Sequence, residues 1–328
     1  MLLFYSELLK NDIKVRFSEK ELSFGGNEFG RGSLVITRSN NMTNPDFDVT
    51  VTRIANEMDR QLYASPTSYA DKLTDFGSQY VHLIQNPKVA MLMGEGTNSL
   101  SYGALWHFFE TELKYPITSI NTDNVSDIHW SDYDVLILPQ GNYGDIIDDS
   151  VFEDIEDWIN KGGKVIAYGN AMKVFEGKEG FDLEKNEEDE DSEDEVEDEE
   201  YLIPYAEREM ASTSDFITGS IFKIDLDNTH PLAFGYDNTY ATLKLGSDSY
   251  QFLEEGYNVG YIKGEAQDVG GFVGERAKAK LKNSIVFAEA KKGKGSVVYL
   301  LDDVIFRTFW QNGKLMLANA VFFVNGGV

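Results

Sequence analysis

Short apolar runs and longer amphipathic stretches alternate along most of this chain. Residues 2–9 read as a helix ending near Asn11. Ile13-Lys14-Val15-Arg16-Phe17 alternates apolar with polar, the pattern of a half-buried strand. Glycines at 25–26 and 30–32 bracket a loop before a second strand over 33–37. Helical spacing of Phe47, Val51, Ile54 and Met58 predicts a helix over 45–60. Residues 65–86 read as a connector with one helical turn.

From residue 87 the pattern changes. Lys88-Val89-Ala90-Met91-Leu92-Met93 is nearly all apolar, which suits a strand buried on both faces of a parallel sheet. Gly94-Glu95-Gly96 follows, then an amphipathic helix over 101–114. Further strands are predicted at 117–120, 134–138 and 164–168, with a helix over 150–160 carrying Phe152, Ile155, Trp158 and Ile159 on one side. Strand alternating with helix means a parallel sheet covered on both faces. Later strands are expected at 221–224 and 241–245, then a hairpin of 284–288 with 296–301, and a last helix over 314–323. The division expected is a small α/β unit over 1–64, a connector over 65–86 and an α/β domain over 87–328.

Charge adds one interruption. Twelve of the fourteen residues from Glu187 to Glu200 are acidic, and a stretch so charged and so poor in apolar anchors cannot fold compactly. Residues 178–200 are therefore read as a disordered surface insert. It lacks the glycine and ordered spacing of a calcium loop. The net charge of −27 repels phosphate backbones and anionic membranes, so nucleic acid is not an expected partner. No apolar stretch reaches membrane-spanning length, so no membrane insertion is expected. Cysteine is absent, which excludes disulfides, thiolate metal sites and a thiol nucleophile.

The strand with its Gly-x-Gly turn, and the strand 165–168 turning sharply at Gly169-Asn170, resemble the class I glutamine amidotransferase-like fold. The implied fold class is α/β, a parallel-sheet, flavodoxin-like domain preceded by the small α/β unit. The whole chain also resembles the C-terminal part of large bacterial proteins of the M14 zinc carboxypeptidase family. That likeness is carried by Phe24-Gly25-Gly26, Arg31-Gly32-Ser33-Leu34-Val35-Ile36, Leu92-Met93-Gly94-Glu95-Gly96 and Tyr102-Gly103-Ala104-Leu105-Trp106-His107-Phe108-Phe109. Tyr133-Asp134-Val135-Leu136-Ile137-Leu138-Pro139, Asn228-Thr229-His230-Pro231-Leu232 and Leu245-Gly246-Ser247-Asp248-Ser249-Tyr250 continue it. It implies a peptidase domain upstream of Met1 that holds the zinc and does the hydrolysis. It also implies a periplasmic or secreted protein, and no cofactor in this chain itself.

Active amidotransferases place a cysteine on the turn that Tyr168-Gly169-Asn170-Ala171 occupies here, where no residue supplies a nucleophile. The chain is thus expected not to be catalytic by itself, a pseudoenzyme scaffold. Ligands of open α/β sheets bind at the carboxyl ends of strands. Glu95, Gly96, Gln140, Asn142, Gly169 and Asn170 are the candidate ligand-binding residues on that ground. Gly94-Glu95-Gly96 could present backbone N–H groups to an anion, but lacks the third glycine and distal acid of a dinucleotide fingerprint. His107-x-x-Glu110 with His230 has the residue types of a zinc site. Yet the pair sits mid-helix among aromatics, and no metal site is assigned to it. Phe306-Arg307-Thr308-Phe309-Trp310 sets a cation among aromatics, read as packing.

The function expected is a non-catalytic accessory region of an M14-like carboxypeptidase, serving interdomain packing, oligomerisation or substrate presentation. Its partner would be the upstream peptidase domain or a second copy. The alternatives are a small-ligand binding module using the strand-end crevice, and an enzyme with an unrecognised active site.

Overall fold

The computed structural model describes residues 2–186 and 203–324. Its N-terminal part holds α1 (Leu2–Lys10), β1 (Arg16–Ser18), β2 (Leu22–Phe24), β3 (Asn27–Phe29), β4 (Leu34–Val35), α2 (Phe47–Glu57), β5 (Lys72–Leu73) and β6 (Val81–Leu83). The strands form two small antiparallel sheets, ordered β4-β1-β6 and β3-β2-β5. Pairing starts later than the alternation from Ile13 predicts. The Asn41 side chain accepts from Lys14 N at 2.8 Å and donates to Lys14 O at 3.0 Å, so this stretch bonds a side chain instead of a ladder. Residues 65–86 contain two strands in place of the expected helical turn. Buried Val81 pairs with Ser18, and Arg16 Nη1 donates to Val81 O at 2.9 Å.

The central strands are β7 (Val89–Met93), β8 (Ile117–Asn121), β9 (Val135–Leu138) and β10 (Lys164–Tyr168). Between them run α3 (Ser99–His107), which continues as a π-helical turn over Phe108–Leu113, and α4 (Asp149–Asn160). Then come α5 (Tyr205–Thr213), β11 (Gly219–Leu226), β12 (Thr239–Lys244), β13 (Tyr257–Ile262), β14 (Gln267–Phe272), α6 (Glu275–Ala279), β15 (Ser284–Lys292), β16 (Gly295–Leu300) and α7 (Lys314–Phe322).

Ten of these strands make one mixed sheet. Its parallel half runs β8-β7-β9-β10-β16. Numbered in chain order, that is 2-1-3-4-5, the flavodoxin-like arrangement. The α/β fold class expected from the sequence is therefore present. The apolar runs are apolar throughout because both faces are covered. Met91, Ile137 and Ile166 face a core shared with α1, α3 and α7, while Leu92, Leu136 and Val165 face one shared with α4. The N-terminal part joins the first of these cores, with Phe17 stacked on Phe323 at 4.7 Å between ring centroids.

The other half of the sheet is antiparallel, which strand-helix alternation does not foretell. β15 folds back on β16 as the expected hairpin, and β13, β11 and β12 extend it, with β14 also on β11. Residues 178–186, read from charge as part of the insert, are ordered. Phe181 and Leu183 are fully buried, Leu183 bridges to Glu176, and Asn186 N donates to Ser249 O at 3.0 Å. Two apolar side chains outweigh the local charge there. The acidic run from Glu187 to Glu200 lies outside the described residues.

Candidate functional site

The strand order reverses between β7 and β9, and the loops leaving their carboxyl ends flank a crevice of about 500 Å³. Its floor is stitched together by backbone. Asn98 N donates to Gln140 O at 2.7 Å, Asn142 N to Gly96 O at 2.8 Å, and Thr97 bridges Gly141. Gly141 is required by this approach, since a Cβ there would lie 2.4 Å from Gly96 O. Asn98 caps α3 by accepting from Leu100 N and Ser101 N, and Ser101 Oγ in turn accepts from Gln140 N at 3.1 Å. The third loop is tied in by Asn170, whose Oδ1 accepts from Gly141 N at 2.9 Å.

The turn after β10 enters a 3₁₀ helix over Gly169–Val174. Gly169 adopts a left-handed φ of +56° and is buried. A Cβ added there would lie 2.5 Å from Gln140 Cγ and 2.8 Å from its Nε2. Gln140 therefore fills the volume into which a side chain at 169 would project.

The far wall carries most of the charge. Leu301-Asp302-Asp303 follow β16, and β12 brings Lys244 opposite. Buried Asp302 is satisfied on both oxygens, accepting from Lys244 Nζ at 2.9 Å and Thr242 Oγ1 at 2.7 Å. Asp303 Oδ1 accepts from the Tyr168 hydroxyl and from Ile305 N at 3.0 Å. No described residue bonds its Oδ2. Burial pushes the Asp303 carboxyl above the usual range, against the opposing effect of those two donors. Burial and the adjoining Asp303 push the Tyr168 phenol far up, so it remains a donor. Asp248, also on the wall, lies 3.6 Å from Lys173 Nζ.

Five of the six residues singled out from the sequence, Gly96, Gln140, Asn142, Gly169 and Asn170, line this one crevice. Glu95 does not; its side chain is exposed and its carbonyl accepts from Thr122 Oγ1 at 3.0 Å. The sequence reading missed Lys244, Asp248, Asp302 and Asp303. Two acids just after the apolar run Val297-Val298-Tyr299-Leu300-Leu301 are the signal that, joined to the strand-end rule, could have found the last pair.

His107 and His230 are engaged separately. His107 Nδ1 lies 3.5 Å from Glu112, which also holds Lys314 at 2.6 Å. His230 is buried; its Nδ1 accepts from Leu232 N at 3.2 Å, which places the ring proton on Nε2, 2.9 Å from Glu289. Burial alone would push Glu289 up, but His230 and Lys291 together hold it below the usual range. Both ring nitrogens of His230 are thus used within the protein. Among the described residues no group of three or more His, Cys, Asp or Glu side chains is gathered as a metal ion would need. Nor is any described helix long and apolar enough to cross a membrane.

No protein-family model matches the chain, and no curated protein matches its sequence. Among solved structures, a ThuA-like protein from Bacteroides uniformis is 11% identical with a TM-score of 0.42, over 79% of this chain and 94% of that one. A glutamine amidotransferase from Thermotoga maritima is 11% identical with a TM-score of 0.40, over 67% of this chain and 76% of that one. A β-galactosidase from Bacillus circulans sp. alkalophilus is 12% identical with a TM-score of 0.41 over 72% of this chain, which spans only 30% of the galactosidase. Likeness at this level speaks neither to activity nor to ligand.

Proposed function

We propose that this chain is a binding module for a small polar ligand, held in the crevice at the carboxyl ends of the parallel strands. One observation carries the reading. A preformed crevice of about 500 Å³ at the switch point converges backbone groups, the side-chain amides of Gln140, Asn142 and Asn170, and a carboxylate oxygen, Asp303 Oδ2, that no described residue bonds. Its floor is fixed by cross-loop hydrogen bonds, so little ordering is lost on binding. The turn at 168–171 offers no nucleophile, and Gln140 occupies the space for one. That favours binding over covalent catalysis.

Gly246 supplies the test. It lines the crevice, and a Cβ added there meets nothing within 4 Å. A thermal-shift and calorimetric panel of sugars, polyols, amines, amino acids and nucleosides should give saturable binding to the unaltered protein. Gly246→Trp should keep the melting temperature and lose that binding at least tenfold. A flat response across the panel would sink the reading.

A role as an accessory region of an M14-like carboxypeptidase is a second reading. The N-terminal part favours it by exposing Leu62, Tyr63, Tyr69 and Leu73 along one short stretch of chain. Joined to a peptidase domain in one polypeptide, these side chains should become protected from surface labelling. Unchanged labelling would count against this role.

A further inference from the structure

Resting on the binding-module reading, we infer that the crevice selects a ligand bearing an ammonium group and no carboxylate. The partners of Asp303 point to it. Three carboxylates line the crevice, those of Asp248, Asp302 and Asp303, against the single ammonium of Lys244. Lys244 is spent on Asp302 at 2.9 Å, and Thr242 closes the other oxygen of that acid. Asp248 has Lys173 within 3.6 Å. Of the three, Asp303 has no cation beside it among the described residues. It is only 9% exposed, and its Oδ1 is bonded to Tyr168 and Ile305 while Oδ2 has no partner among the described residues.

A carboxylate that lines a crevice with one oxygen free of protein partners and no cation beside it is a ready acceptor, and a charged donor completes it best. No lining cation is left over to receive an anionic group. A free amino acid therefore fits poorly, because its own carboxylate would face Asp248 and Asp303 uncompensated. The remaining lining groups, the amides of Gln140, Asn142 and Asn170 and the backbone of Gly96 and Gly141, suit hydroxyls or amides on the rest of the ligand. The ligand class is a small, polyhydroxylated or amide-bearing amine.

One skeleton with three charges tests this. Glucamine, sorbitol and gluconate share a six-carbon polyhydroxylated chain and end in an ammonium, a hydroxyl and a carboxylate respectively. Calorimetry at pH 7.5 should rank glucamine at least tenfold tighter than sorbitol, with gluconate weakest. Asp303→Asn keeps an acceptor for Tyr168 and should cut the preference for glucamine over sorbitol below threefold. If that variant fails to fold, the unaltered protein still decides the matter. Lowering the pH until the lining carboxylates are protonated should weaken glucamine severalfold and leave sorbitol flat. Other titratable and charged groups around Asp303 are Tyr168 on β10, Tyr240 and Lys244 on β12, and Asp302, Asp248 and Lys173. Glucamine and sorbitol binding alike, or gluconate binding best, would overturn the inference and leave the binding module standing. No binding by any of the three, with a flat response across the wider panel, would defeat the binding module and the inference together.

Discussion

The two ends of the parallel sheet each bury a lysine, and they treat it in opposite ways. At the carboxyl end, Lys244 meets the carboxylate of Asp302 beside an open crevice. At the amino end of β10, Lys164 is sealed in and, among the described residues, donates to the carbonyls of Val321 and Val324 at the close of α7. Burial there lowers the lysine to about 7. Carbonyl dipoles cap a helix terminus well, but they do not replace a counter-charge. One end therefore holds a fixed ion pair next to a site, and the other holds an ammonium near its own titration point.

Removing one partner at the carboxyl end gives the largest effect. Asp302→Ala leaves Lys244 buried and unpaired, and should destabilise the protein by about 3–5 kcal/mol in urea unfolding. A loss under about 1 kcal/mol would mean that the pair is solvated and the contrast with Lys164 false. The amino end answers to pH. Unfolded, Lys164 keeps its proton to about 10.5; folded, it releases it near 7. Between those values the unfolded state binds the extra proton, so stability rises with pH, by about 2 kcal/mol from pH 7 to 9. Lys164→Met should flatten that rise, and an unchanged slope would show that the carbonyls suffice to keep the ammonium charged. Smallest is Asp303→Asn. It retains an acceptor for Tyr168 and Ile305, so its stability should change by no more than about 1 kcal/mol even as ligand preference collapses.

The halves of the sheet also differ in how far the sequence reveals them. β7, β9 and β10 announce themselves because a strand covered on both faces must be apolar at successive positions, and their ends then locate Gly96, Gln140, Asn142, Gly169 and Asn170. β13 and β14 do not. Glycines interrupt both, and β14 is exposed along its whole length, so neither alternation nor an apolar run marks it. The wall of the crevice suffers the same concealment. Lys244 arrives on an antiparallel strand far along the chain, and only the folded pairing β12-β11-β13-β15-β16 brings it to Asp302. Residues 178–186 show the converse error, in which charge density hid two core side chains.

Gly169 and Gln140 share one volume, and that sharing constrains both positions. Any single replacement at 169 that adds a side chain must both hold a left-handed backbone and displace Gln140. Shortening Gln140 alone enlarges the crevice at that turn. The two positions are thus coupled in space, and a side chain at 169 requires Gln140 to move aside. A side chain introduced at 169 therefore reshapes the crevice as well as the turn, because Gln140 lines both.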